Sequence, residues 1–119
     1  MHYSDILISD VSSVFVEYLA LDKPIILVNN ENIERFPNYN KENIEYEVRD
    51  SAYQINTAQE LIPVLENVLS NDSLKEKRKE YSRKLFAPLD GKNSYRIAKV
   101  IKKVIDKGRI GKKRKSARC

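Results

Sequence analysis

The rhythm of apolar and polar positions changes three times within the first thirty residues. Asp5 to Ser9 holds Ile6, Leu7 and Ile8 in a short apolar run bounded by polar residues, which predicts a buried strand. From Ser12 the spacing lengthens. Val14, Phe15, Tyr18, Leu19 and Leu21 fit a helical stripe, with Ser13 and Glu17 elsewhere on the surface. This helix is expected to stop near Asp22-Lys23, because the residue before Pro24 is pushed out of the α region. Pro24 to Val28 predicts a second buried strand, with proline tolerated at its first position. Strand, helix and strand in so short a stretch form a βαβ unit, and so a parallel sheet.

Asn29 to Asp50 is polar and loop-like, with Asn29, Asn30, Asn32, Asn38 and Pro37 along it. Connections that long are usually functional or mobile. Ala52 to Ile55 predicts a third strand. Thr57 and Glu60 form a capping box opening a helix with a broad apolar face at Leu61, Ile62, Val64, Leu65, Val68 and Leu69, kinked at Pro63. Ser73 and Glu76 form another, opening a charged helix that runs to about Phe86 and is closed by Pro88. A last helix is expected from Asn93 to Asp106, with Gly108 as its stop. Its Ile97, Val100, Ile101, Val104 and Ile105 recur every three or four residues and predict a core face. Residues 111–119 read as disordered. The pattern predicts an α/β fold: a Rossmann-like parallel sheet with flanking helices over residues 1–107, then a basic tail over 108–119. Three short parallel strands leave edges and apolar faces uncovered, so the chain reads as part of something larger.

Charge sharpens this division. Residues 1–72 carry 4 Lys/Arg against 13 Asp/Glu, and residues 73–119 carry 18 against 4. A basic C-terminal portion attracts polyanions such as anionic lipid headgroups, although a solvated helix face would show the same charge. No apolar stretch approaches the roughly 18 residues of a membrane span, and the N-terminus lacks a secretory pattern. The single cysteine, Cys119, excludes an internal disulfide and fits a reducing, cytoplasmic setting. His2, the only histidine, has no partner for base catalysis, and no metal-ligand spacing is present. The sequence therefore offers no catalytic residue and no metal site.

Two turns carry candidate binding chemistry. Asp10-Val11-Ser12-Ser13 stands where the first strand gives way to the first helix, and in open α/β sheets ligands bind beyond the carboxyl ends of strands. Ser12 and Ser13 hydroxyls can donate to a phosphate there, although Asp10 or Ser12 also suits a plain N-cap. No glycine stands in this loop, which excludes a P-loop or dinucleotide fingerprint. The second turn is Asp90-Gly91-Lys92-Asn93-Ser94-Tyr95-Arg96, again feeding a helix; read alone it is a turn and cap. Glu17, one turn into the first helix, can accept from sugar hydroxyls or simply face solvent.

The run Ser4 to Val14, followed by Leu21-Asp22-Lys23-Pro24-Ile25-Ile26, resembles the C-terminal nucleotide-binding half of CDP-glycerol glycerophosphotransferases, the primases and polymerases of teichoic acid. Asp90 to Arg96 is similar to the family's second signature, Asp-Gly-x-x-Ser-x-Arg, about 75 residues further on. The resemblance implies the C-terminal half of a GT-B fold. It implies that Ser12, Ser13 and Ser94 hold a donor diphosphate, with Asp10, Glu17, Asp90, Gly91 and Arg96 in support. The expected partners are a nucleotide-activated donor such as CDP-glycerol, an N-terminal Rossmann half carrying the catalytic histidines, and an anionic membrane surface. The implied location is the inner face of the cell membrane, and no cofactor is implied. The middle region, Asn30 to Asp50, departs from the aromatic-glycine stretch of the polymerases. A glycosyltransferase or sugar-nucleotide epimerase half therefore stays open as an alternative. So does a non-catalytic basic module for membrane or nucleic acid, with nucleic acid the less expected partner.

Overall fold

The computed structural model describes residues 3–37 and 39–116. It divides into two compact units, Met1–Ala87 and Pro88–Cys119. In the first unit, β1 (Leu7–Ser9), β2 (Ile25–Val28) and β3 (Tyr53–Ile55) form a parallel sheet in the order β1-β2-β3. Leu7 pairs with Ile25 and Ile26 with Tyr53, so alternate residues share a face. The α/β class and all three strands are as the apolar runs predict.

Helix α1 (Ser13–Tyr18) continues as a 3-10 turn over Leu19–Leu21. Its stop is made by Asp22, which takes a left-handed conformation (φ 51°) ahead of Lys23 and Pro24. Phe15, Tyr18 and Leu19 are fully buried in one cluster with Ile25, Leu27, Val48 and Ala52, and Leu7, Ile44, Tyr81, Leu85 and Phe86 pack against it. On the other face of the sheet Ile26 and Ile55 are buried, but Ile8 is 45% exposed. Expected as a buried strand, β1 is thus a half-open edge: it has one neighbour strand and one covered face.

The segment read as a polar loop carries short structure of its own: a 3-10 turn at Ile33–Arg35, helix α2 (Ile44–Glu47), and another turn at Arg49–Ser51. Ile44 and Val48, four residues apart, reach the core. Two apolar positions in a polar stretch make no detectable period, so tertiary burial, not local pattern, holds this turn of helix.

Helix α3 (Leu61–Ser70) is preceded by a 3-10 turn at Ala58–Glu60. The Thr57 hydroxyl donates to Glu60 (2.9 Å), and Glu60 accepts from the Asn56 N–H (3.1 Å), so the expected capping box is replaced by a related turn. Pro63 falls in the first turn of α3, where a missing N–H is tolerated. At α4 (Lys75–Phe86) no side chain caps the helix in the expected box manner. The Leu74 N–H donates instead to the Tyr53 hydroxyl on β3 (3.3 Å), and that hydroxyl donates to Asp72 (3.2 Å). The buried Arg78 guanidinium also bonds Asp72 through both Nη atoms, and it holds that carboxyl below its usual range. A buried charge without its partner is strongly destabilising, so this ion pair ties α4 to its place.

The second unit is α5 (Asn93–Ser116) and the turn before it. The helix does not stop at Asp106. It passes through Gly108 to Ser116, so most of the expected basic tail is helical, while Ala117–Cys119 lie outside the described residues. One glycine costs a helix only about 1 kcal/mol, and the lysines and arginines around it are good helix formers. The expected core face is also corrected: Ile97, Val100, Ile101, Val104 and Ile105 are all about half exposed or more. Periodicity shows that a face is apolar; it does not show what covers it.

Candidate functional site

Because the strands are parallel and in register, their carboxyl ends share one edge of the first unit. Asp10 to Ser12 follow β1, Asn29 and Asn30 follow β2, and Asn56 and Thr57 follow β3. The edge is cross-linked. The Asn29 N–H donates to the Ile55 carbonyl (2.8 Å), and the Asn29 amide donates to Asn56 Oδ1 (2.9 Å).

Ser12 is the N-cap of α1: its backbone is extended and its hydroxyl oxygen accepts from the Val14 N–H at 3.3 Å. That bond uses a lone pair and leaves the hydroxyl proton able to donate to a ligand. Ser13 and Asp10 are exposed, as is Glu17 on α1. With six residues before it tightens into a 3-10 turn, α1 has a small macrodipole, so anion binding at this edge calls for further charge.

Arg49 supplies such charge, and reading the sequence overlooked it. Its Nη2 donates to Asn29 Oδ1 at 2.5 Å, while its Nη1 is buried with no hydrogen-bond partner among the described residues. Burial lowers its pKa, against the pull of Tyr46 and Asp10, and a guanidinium stays cationic through such a shift. The signal was present in the chain. Arg49 is the one cation in a run holding Glu42, Glu45, Glu47 and Asp50.

The second motif is assembled as a turn within its own unit. Gly91 has φ +70°, a conformation that a Cβ would strain. Asp90 accepts from the Lys92 N–H (3.0 Å) and pairs with Arg96 through both carboxylate oxygens, at 2.8 and 2.6 Å. Arg96, and then the Lys92 N–H, hold the Asp90 carboxyl below its usual range. Three of the motif's residues thus brace one turn, and Ser94 stands exposed in the first turn of α5. The resemblance implied a supporting role for Asp90 and Arg96; the two-oxygen ion pair between them was not part of that expectation.

Both motifs fall inside one comparison. A family model described as CDP-glycerol:poly(glycerophosphate) glycerophosphotransferase matches residues 1–103. The chain belongs to that family. No curated protein and no solved structure matches it. The glycerophosphotransferase match takes in the whole three-stranded sheet, α1 to α4 and the start of α5. Among the described residues of this family member, no cluster of three or more His, Cys, Asp or Glu side chains is arranged to hold a metal ion. His2 and Cys119 lie outside the described residues. No helix of the described residues is long and apolar enough to cross a membrane.

Proposed function

We propose that the chain is the nucleotide-donor-binding half of a CDP-glycerol glycerophosphotransferase, the C-terminal Rossmann-like half of a GT-B pair working in teichoic-acid synthesis. The observation that carries this reading is the family match over residues 1–103, which spans the Asp10–Ser13 loop and the Asp90–Arg96 turn. In it, Ser12 and Ser13 donate to the donor diphosphate and Arg49 offsets its charge. By the resemblance, Ser94, on the turn braced by Asp90, Gly91 and Arg96, is assigned to phosphate binding as well, and Glu17 to ribose hydroxyls. Asp10 shapes the loop.

The acceptor hydroxyl oxygen attacks the β-phosphorus of CDP-glycerol. The bond from that phosphorus to the bridging oxygen breaks as the new one forms, CMP leaves with the bonding electrons, and the hydroxyl proton passes to a base. That base is a histidine of the N-terminal half, so these 119 residues bind the donor without turning it over. Holding the diphosphate in line and neutralising its charge is their share of the catalysis. No cofactor enters.

Calorimetric titration of the chain with CDP-glycerol and CMP tests the reading. Both are expected to bind, and Ser12→Ala with Ser13→Ala to weaken them by about tenfold or more, the worth of a hydrogen bond to a charged group. Binding of UDP-sugars alone would transfer the chain to the glycosyltransferase or epimerase alternative.

A second reading concerns α5, on a separate observation. Its exposed Ile97, Val100, Ile101, Val104 and Ile105 accompany Lys99, Lys102, Lys103 and Lys107. Residues 88–119 carry 12 Lys/Arg against 2 Asp/Glu, whereas residues 1–87 carry 10 against 15. A helix that is apolar on one side and cationic on the other suits an anionic bilayer surface, where each well-placed cation contributes about 1 kcal/mol. The proposed location is the inner membrane face. Sedimentation with phosphatidylglycerol vesicles, none with phosphatidylcholine, and loss of binding in Ile101→Asp are expected. Equal binding to both lipids would sink this reading.

A further inference from the structure

Beside the Asp10–Ser13 loop the first unit opens into a cavity of about 320 Å³, whose walls come from three places in the chain. Asp10 and Val11 follow β1, Asn30 and Ile33 follow β2, and Phe36, Tyr39, Asn43, Glu45 and Tyr46 come from the segment leading into and through α2. It lies at the low end of the range for small-molecule sites, roughly 300–1,000 Å³.

The chemistry of the walls is specific. Tyr39 and Tyr46 meet edge to face, ring centroids 5.3 Å apart and planes at 83°, which holds both rings in place. Phe36 lines the same cavity and is 55% exposed, so its ring is open to a ligand. Among these rings stand amide and carboxylate groups: Asn30, Asn43, Glu45 and Asp10. Aromatic faces suit a flat heterocycle, and amides and carboxylates suit its ring-edge donors and acceptors and the hydroxyls of a pentose. A diphosphate does not fit here, since two carboxylates would repel it.

Arg49 connects the cavity to the strand edge. Its Nη2 is held by Asn29, whose chain neighbour Asn30 lines the cavity, and Tyr46, three residues before Arg49, lines the cavity too. Its buried Nη1 has no hydrogen-bond partner among the described residues, which leaves one strong donor unused beside Asn29 at the strand edge.

We infer that this cavity is the nucleoside subsite of the donor, with the base against Phe36, Tyr39 and Tyr46, the ribose hydroxyls on Asp10, and Arg49 at the junction with the diphosphate. The assignment rests on the donor-binding reading above and deepens it. It moves the ribose contact from Glu17 to Asp10. It also gives the segment between β2 and β3 the task of selecting the donor.

The test is an NMR titration of the full chain, following aromatic ring and backbone amide resonances with CMP and, separately, with inorganic pyrophosphate. CMP is expected to shift the rings of Phe36, Tyr39 and Tyr46. Pyrophosphate should shift the Ser12 and Ser13 amides and leave those rings in place. Phe36→Ser and Tyr46→Leu should each weaken CMP by about tenfold, the scale of one base–aromatic stack, with pyrophosphate affinity unchanged. Phe36 is half exposed, so its variant keeps the fold even where Tyr46→Leu disturbs α2. If CMP binds with the rings unmoved and both variants bind it as tightly, the cavity assignment fails while donor binding stands. If pyrophosphate alone binds, the nucleoside subsite fails and the phosphate site survives. If neither binds, the subsite falls together with the reading beneath it.

Discussion

Helices α1 and α5 carry apolar side chains at the same three- and four-residue spacing, yet Phe15, Tyr18 and Leu19 are fully buried while Ile101 is 53% exposed and Val104 65%. Short as it is, α1 crosses between two paired strands, so the sheet that its own connection creates is what covers it. Helix α5 follows the last strand and belongs to a separate unit, so no sheet is supplied by its connectivity. Charge separates α4 from α5 in a similar way. In α4, Lys77, Arg78 and Lys84 pair with Asp50, Asp72 and Glu47, acids contributed by preceding parts of the chain. In α5 the ion pairing among the described residues is Arg96 with Asp90, in the turn that opens it. The basic C-terminal portion is thus two things: a helix whose cations fasten it to its neighbours, and a helix whose Lys99, Lys102, Lys103 and Lys107 are exposed.

The contrast can be broken in order of effect. Phe15→Ala removes a ring from the centre of the core and is expected to lower unfolding free energy by about 3–5 kcal/mol, read from urea denaturation. An effect near zero would mean that the α1 stripe is no more anchored than that of α5. Asp72→Ala strands the buried Arg78 charge and should cost about 3 kcal/mol at neutral pH. The pH dependence follows from the Asp72 carboxyl being held low in the folded state. Its contribution is present above the ordinary carboxylate range, about pH 4, and is lost as pH falls through the lower folded value. The wild type should therefore lose stability below about pH 4 more steeply than the variant; parallel profiles would remove Asp72 as the source. Ile101→Ala should change stability by no more than about 0.5 kcal/mol, since it uncovers nothing. A loss comparable to that of Phe15→Ala would show a covered face.

Most of the framework was legible because it depends on local alternation. Three apolar runs became β1, β2 and β3, and the helix after Ser12 begins where its hydroxyl caps it. The Asp90–Arg96 turn was legible as a turn from its glycine, though not as a bidentate ion pair. The segment between β2 and β3 was the least legible. Its short helix is held by Ile44 and Val48 in a core built from distant residues, and its aromatic cavity joins positions on both sides of β2. Arg49 was missed because an arginine among acids looks solvated until the fold buries one of its nitrogens.

By itself, then, the sequence determined the α/β class, the strand positions, the two motifs and the family they belong to, since these depend on residues near one another in the chain. The tertiary structure decided which apolar stripe is covered, which cations are paired, and that Arg49 stands beside the carboxyl edge of the sheet. Those outcomes depend on contacts between residues far apart in sequence, whose burial and charge pairing exist only once the chain has closed on itself.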